Sequence, residues 1–417
     1  MLQNNSKSLS LTNGDKQILQ ELAISDEVPG SILKDFDTML DIIGEKGMET
    51  GGKYGLFPMG KLAEINSQLT HSIRLSLQRP QQKAFPHING LYLLLRSTSI
   101  VFLKNIGKKR VLVLDETVLQ SWRGLNLTEK YFTLLEAWFL QGNEEILREH
   151  DLGFPEHLLK CQSFYLRNFD KAKTFKPTQK RDEFNYAPEW YNLALLQMFG
   201  FITIKPVPKK VEKFWLIEQI QLTNFGSVMI PLLYSVVEGR GIKWKIFPAE
   251  DLQFGEWQTD LQSFFPEWKN NLIAMETKFQ EGVHVFKVAL GKVWRRIAIS
   301  GTQELELLSN AILEAFNFDH DHLYEFKYRN RKGLIARVNA PEMDDAPFTT
   351  EVQVGSLGLN PGDSMDYIFD FGDYWEFAVI LETVESDNNV ISKPAILESY
   401  GKAPEQYGDY DEYCEEE

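Results

Sequence analysis

Apolar residues recur first at helical spacing and then, beyond about residue 280, at the alternating spacing of strands. In SILKDFDTMLDIIG (31–44), Ile32, Phe36, Met39, Leu40 and Ile43 fall on one helical face, with Ser31 placed as N-cap. KYGLFP reads as a short extended piece, and MGKLAEINSQL and HINGLYLLLRS read as helices. STSIVFLK, NIGKK and RVLVLD together read as a hairpin. Helix, short strand, helix, helix, hairpin is the element order of a winged helix, related to the helix-turn-helix group. The end of that pattern recurs downstream as the helix YNLALLQMFGF, the strand ITIKPV, the basic loop PKKVEK and the returning strand FWLIEQIQLT. Each copy then runs through a threonine, Thr117 or Thr223, into another helix, which makes a degenerate internal repeat. Between the copies LTEKYFTLLEAWFLQG is amphipathic, with Tyr131, Leu134, Leu135, Trp138 and Phe139 as its stripe and Thr128 as the expected cap.

From Glu281 the pattern changes. VHVFKVAL and VWRRIAIS are two strands divided by Gly291 and Lys292. A helix, TQELELLSNAILEAFNF, follows with Leu305, Leu308, Ile312, Ala315 and Phe316 on one face. HLYEFKY, GLIARVNA, SMDYIFDF and YWEFAVILE are four further extended segments. The predicted fold class is therefore α+β, with a mainly α N-terminal region of winged-helix-like units and a C-terminal α+β domain whose sheet is largely antiparallel. The expected divisions are 15–150 (winged-helix-like unit plus amphipathic helix), 151–280 (second helix–hairpin unit and joint), 281–413 (α+β domain) and 414–417 (acidic tail).

Charge sharpens this division. Residues 1–120 hold 14 Lys and Arg against 12 Asp and Glu, residues 121–280 hold 19 against 20, and residues 281–417 hold 11 against 27. The formal net charge of −15 thus belongs to the last third, which repels nucleic acid and favours cations or basic partners. Composition excludes collagen, a wholly disordered chain and a disulfide scaffold. Two cysteines, Cys161 and Cys414, build neither a zinc cluster nor a disulfide framework. No apolar run reaches the roughly 20 residues of a membrane span, and the start MLQNNSKSLS lacks a signal peptide's apolar core, so a cytoplasmic bacterial protein is expected.

The hairpin loops carry Lys104, Lys108, Lys109 and Arg110 in the first copy, and Lys205, Lys209, Lys210 and Lys213 in the second. Such wings can touch phosphates, which position a protein without reading sequence. The recognition helix of this arrangement, HINGLYLLLRS, offers only His87, Asn89, Tyr92 and Arg96 as polar groups, so direct base readout is poor.

VWRRIAI, a helix ending AFNFDHDHLYEF, then YIFDFGDYWEFAVILE and PAILESYGKAPEQYGDY form an ordered set of motifs over about 281–413. This set resembles the plasmid pRi ORF-three-like family, a bacterial and archaeal domain family whose biochemical activity is not established. LTEKYFTLLEAWF and FFPEW resemble the N-terminal extension of its longer members. Some shorter members carry His where Phe377 stands, and Pro-Glu-Asp-Gly-Gly where this chain has Pro404, Glu405, Gln406, Tyr407 and Gly408. The resemblance implies an α+β domain and names no reaction.

Complete catalytic constellations are missing from the sequence. Asp370-Phe371-Gly372 lacks the Gly-rich loop, strand Lys and His-Arg-Asp loop of a protein kinase. It reads as a turn in which Phe369 and Phe371 share a face and Trp375, Phe377, Val379 and Leu381 alternate on the return strand. Gly-x-Ser-x-Gly, P-loop, Rossmann and serine-recombinase motifs are absent, Cys161 reads as buried packing, and Cys414 sits among carboxylates. His320 and His322 on an extended segment share a side, so Asp370 or Asp373 completes an oxygen–nitrogen metal site in one reading. In the other, Asp319 or Asp321 caps a turn and the histidines bond backbone. Arg295 and Arg296 point to opposite faces, one buried against Asp370 or Asp373 as a clamp or serving as an anion group, the other paired with surface carboxylates.

The leading expectation is a non-enzymatic binding or adaptor protein without a cofactor or a metal. Its ligand or partner surface would involve Arg295, Arg296, His320, His322, Asp370, Asp373 and Trp375, taking a protein or small ligand. The alternatives are a DNA-binding regulator contacting phosphates through Lys104, Lys108, Lys109, Arg110, Lys209 and Lys210, and a metal-dependent enzyme built on His320, His322, Asp370 and Asp373.

Overall fold

The structure is a computed structural model that describes residues 11–51, 55–107, 109–147, 156–169, 171–178, 180, 182–208, 211–239, 253–273, 278–385 and 391–407. The chain divides into two compact units, Met1–Leu103 with Lys109–Met275 and Lys104–Lys108 with Glu276–Glu417. Among the described residues no helix is long and apolar enough to cross a membrane.

The helix-rich part runs through α1 (Asn13–Gln20), α2 (Ile32–Ile43), β1 (Met48–Glu49), α3 (Met59–Gln68), α4 (Pro86–Ser97), β2 (Val101–Ile106) and β3 (Lys109–Leu114). It continues through α5 (Glu116–Gly124), α6 (Leu127–Phe139), α7 (Glu156–Phe169), β4 (Thr174–Phe175) and α8 (Trp190–Met198). It closes with β5 (Ile202–Pro206), β6 (Ile217–Leu222), α9 (Asn224–Gly239) and α10 (Gln258–Leu261). Two three-stranded sheets form, in the orders β1-β3-β2 and β4-β6-β5. In each, a short upstream strand pairs antiparallel with the returning strand of the hairpin, Met48 opposite Leu112 in one and Thr174 opposite Gln221 in the other. The two copies thus share helix, hairpin, helix and the position of the third strand.

The helices that precede the hairpins are core elements. Every residue of α4 is buried, and so is every residue of α8 except Trp190. They meet where Gly90 faces Leu195; a Cβ on Gly90 would stand 2.8 Å from Leu195 Cγ, so a larger residue would force the helices apart. With its whole surface in the core, α4 has no face to lay in a groove of DNA.

Two expected caps are placed differently. Helix α6 starts at Leu127 under Asn126, whose side chain accepts from Glu129 N–H while the Glu129 carboxylate accepts from Asn126 N–H. This reciprocal pair satisfies two orphan donors, and it puts Thr128 inside the helix rather than at its cap. Ser31 occupies the cap position of α2, but its hydroxyl donates to Asp35 Oδ2 at 2.7 Å and caps no N–H. The amphipathic stripe of α6 is buried, and so are two of its acids. Glu129 also accepts from Lys269 N–H and Asn270 N–H, and Glu136 accepts from Gly255 N–H and Trp257 N–H. Seven residues apart, on one side of the helix, they tie the segment around α10 to α6.

The second unit contains β7 (Val283–Leu290), β8 (Val293–Ser300), α11 (Leu305–Phe316), β9 (Tyr324–Arg329), β10 (Ile335–Asn339), β11 (Ser364–Phe369), β12 (Trp375–Glu385) and β13 (Ala395–Tyr400). They build one antiparallel seven-stranded sheet in the order β10-β9-β11-β12-β7-β8-β13. Helix α11 lies on one face, and Leu305, Leu308, Ile312 and Phe316 are fully buried against Phe286, Ile297, Tyr367 and Phe377. Each such side chain contributes about 1.5–3 kcal/mol on burial. The β7–β8 reversal is made by Gly291 at φ +58°, a left-handed turn position that suits glycine. The turn expected after β11 is present, but Phe371 does not share the face of Phe369. β11 ends at Phe369, Asp370 and Tyr374 adopt positive φ, and Phe371 stands 43% exposed in the turn between them. β13 has no counterpart among the strands expected from the sequence.

Candidate functional site

The sequence-derived candidates of the second unit are distributed over both faces and one end of its sheet. Arg295 goes inward and is 7% exposed. Its Nε donates to Ala315 O at 2.8 Å, its Nη1 donates to Trp294 O, Tyr400 O and Gly401 O at 2.9–3.3 Å, and the guanidinium lies 4.7 Å over the Phe316 ring. Ala315 O is one of the orphan carbonyls at the C-terminal end of α11, where a cation is favoured. The partner of Arg295 is therefore a set of backbone carbonyls, and neither Asp370 nor Asp373 is bonded to it. Arg296 sits on the opposite face, with Nε 2.6 Å from Glu382 Oε2 and Nη1 2.5 Å from Glu398 Oε2. Around it Trp294 stacks on Tyr400 at 5.9 Å, with Lys287 Nζ 4.7 Å from the Trp294 centroid.

His320 and His322 are not brought together. The strand β9 begins only at Tyr324, so the segment 319–323 is a loop without the strict alternation that would align the two rings. His320 turns to α11, its Nδ1 3.1 Å from Asn310 Oδ1. His322 joins a different group: its Nε2 stands 3.4 Å from Tyr407 Oη, 3.5 Å from Asp370 Oδ2 and 3.7 Å from Asp321 Oδ1. Tyr407 donates to Asp321 Oδ2 at 2.5 Å, and Gln406 Nε2 donates to Asp321 Oδ1 at 3.3 Å. Gln406 Oε1 in turn accepts from Asp319 N–H. Three chain segments thus converge at one end of the sheet: the loop before β9, the β11–β12 turn and residues 402–407.

The electrostatics follow from the hydrogen bonds. The Tyr407 hydroxyl holds the Asp321 carboxyl below its usual range, and the same hydrogen bond, aided by the Asp321 charge, pushes the Tyr407 phenol up to about 12. Beside this group opens a cavity of about 540 Å³, lined in part by Asn317, Asp319, Lys402, Glu405 and Tyr407. Phe371, Tyr374 and Tyr407 are 43%, 53% and 45% exposed. Asp373 is exposed, while Trp375 is half-buried with its ring edge-on to Phe318 at 5.0 Å. Among the described residues no group of three or more His, Cys, Asp or Glu is arranged to hold a metal ion. Carboxylates with exposed rings form a surface that suits a cation, through charge and through ring faces.

Of the wing cations, Lys104 and Lys213 are exposed, Lys109 Nζ is 2.7 Å from Glu49 Oε2, Lys205 Nζ is 2.8 Å from Glu218 Oε1, and Arg110 is half-buried. Lys108, Lys209, Lys210 and Cys414 lie outside the described residues. Cys161 is a free, fully buried thiol whose pKa burial pushes up, as packing implies.

One centre escapes sequence reasoning altogether. Lys160 Nζ on α7 stands 2.5 Å from Glu144 Oε1 and 3.0 Å from Glu189 Oε1, and the Tyr191 hydroxyl lies 3.1 Å from Glu144 Oε1 and 3.3 Å from His157 Nδ1. All of these side chains are largely buried. Burial, aided by the Glu144 charge, pushes the Glu189 carboxyl up to about 7 in spite of the Lys160 ammonium. Residues 16 to 47 positions apart meet here where α7, the start of α8 and the turn Glu144–Leu147 pack together, and no local motif announces them.

The second unit is thus an α+β domain in which one helix covers a seven-stranded antiparallel sheet and three chain segments bring Asp321, His322, Asp370 and Tyr407 together at one end of it. Residues 283–416 match the family model described as "Plasmid pRiA4b ORF-3-like protein", which carries the resemblance seen in the motifs. The chain is 30% identical over 129 residues to a protein of Sinorhizobium fredii (strain NBRC 101917 / NGR234) described as "Uncharacterized protein y4hQ". That similarity covers 30% of this chain and 64% of the relative's length. A crystal structure of a protein of unknown function, MM3350 from Methanosarcina mazei Go1, is similar at 24% identity, covering 30% of this chain and 72% of that one with a TM-score of 0.27.

Proposed function

We propose that the chain is a non-enzymatic binding or adaptor protein whose acidic second unit takes a basic protein segment or a small cationic ligand. The observation that carries this reading is the convergence of Asp321, Asp370 and His322 with the exposed ring of Tyr407, in a region of 27 acids and 11 bases whose β11–β12 turn also exposes Phe371 and Tyr374. The helix–hairpin units are read as winged-helix-like modules used for protein contact, since burial of α4 and α8 removes the surface that base reading requires. Fluorescence anisotropy with a labelled decapeptide of Arg and Gly tests the reading. Binding at low salt that Asp321→Asn with Asp370→Asn weakens supports it. Absence of binding at low salt, or turnover of a nuclease or hydrolase substrate that His322→Ala abolishes, refutes it.

A further inference from the structure

A second cavity, of about 740 Å³, lies wholly within the first unit, against the first turns of α4 and α8. This is the size of a small-molecule site. Arg79, Lys83 and Lys213 line it; all three are exposed, and none has an ion pair among the described residues. One wall is aromatic. Trp190 is set by its Nε1–H to Asn185 Oδ1 at 3.2 Å and by an edge contact with Phe184 at 5.0 Å. Its centroid lies 6.3 Å from that of Phe214 and 6.4 Å from that of Trp215. Tyr186 stands beside the opening, 86% exposed.

We infer that this cavity binds a small ligand in which an oxyanion, phosphate or carboxylate, is joined to an aromatic ring, the anion meeting Arg79, Lys83 and Lys213 and the ring lying against Trp190 and Phe214. Charge at the cavity favours an anion. Three cations face Asp182 and Glu189, and Glu189 is already held by Lys160 at 3.0 Å and by Asn192 Nδ2 at 3.4 Å. Burial also pushes the Glu189 carboxyl up, which favours its neutral form and lessens its repulsion of an anion. The site is independent of the acidic surface of the second unit and shares no residue with it.

Isothermal titration of the full chain with phenyl phosphate, inorganic phosphate and phenol decides the matter. Phenyl phosphate is expected to bind at least about tenfold tighter than either fragment, and more weakly as salt rises. Lys83→Ala with Lys213→Ala, on exposed side chains, should weaken it about tenfold and flatten the salt dependence. Trp190→Leu should weaken it as well, and Trp190→Phe should restore most of the affinity. If Trp190→Leu does not fold, the lysine pair still tests the site. Phenyl phosphate binding no tighter than inorganic phosphate means a bare anion patch and overturns the inference, as does binding unchanged in the lysine double variant or no binding at all.

Discussion

The phenol of Tyr407 donates to Asp321 Oδ2 at 2.5 Å and thereby ties residues 402–407 to the loop before β9. Each partner shifts the other: Asp321 keeps its charge to lower pH, and Tyr407 keeps its proton up to about 12. Tyr407→Phe should return the Asp321 pKa upward toward the ordinary Asp value, which carboxyl chemical shifts in an NMR titration will report. Because the Asp321 pKa is depressed in the fold, the stability this bond supplies is present above the unfolded pKa of about 3.9 and is lost as pH falls through the folded value. The variant should lose stability relative to the parent at neutral pH and converge with it in acid.

Glu189 has the opposite sign. Its folded pKa of about 7 lies above the unfolded value near 4.3, so between the two the folded state holds more protons. The contribution is fully present below the unfolded pKa and is lost as pH rises through about 7. Glu189→Gln should abolish this slope, so that its melting temperature gains on the parent between pH 5 and pH 8, in a scan at several pH values. An equal shift at every pH would contradict the burial-driven pKa.

Glu129 is 1% exposed, and burial alone would raise its pKa; N–H donors from Asn126, Lys269 and Asn270 overcome that and lower it. Glu129→Ala strands several buried donors at once and should cost about 3 kcal/mol in denaturant unfolding. As with any depressed carboxylate, the contribution is present above the unfolded pKa and is lost as pH falls through the folded value.

Arg295 reaches four backbone carbonyls belonging to β8, the end of α11 and the end of β13. A lysine ammonium cannot span them, so Arg295→Lys should cost about 2 kcal/mol despite keeping the charge. Arg296→Lys, between half-exposed carboxylates, should change stability by about 0.5 kcal/mol or less.

Random duplex DNA separates the two readings of the wings. With α4 buried, Lys109 paired to Glu49 and Lys205 paired to Glu218, no tight, salt-sensitive binding is expected in anisotropy titrations at low or physiological salt. Tight, salt-sensitive binding removed by Lys108→Glu with Lys109→Glu would favour a regulator instead.

Local pattern determined much of the architecture. The 3.6-residue recurrence from Ile32 to Ile43 yields α2, Leu305 to Phe316 yields α11, and the alternation through Trp375, Phe377, Val379 and Leu381 yields the core face of β12. These features need only a chain burying one face, and neighbours in sequence decide which face that is. β13 was hidden because its residues are almost all exposed, so no alternation marks it; β8 defines it by pairing. Asn126 displaced Thr128 as cap because Glu129 completes the reciprocal bond only from three residues on. The histidine pair came apart because a loop, free of strand geometry, turned His320 to Asn310 and His322 to Asp370. The carbonyl partners of Arg295, the Lys160–Glu144–Glu189 centre and the aromatic-walled cavity all join residues distant in sequence. Hydrogen bonds and charge act at a few ångströms in space, so their partners are chosen by packing, which only the tertiary structure sets.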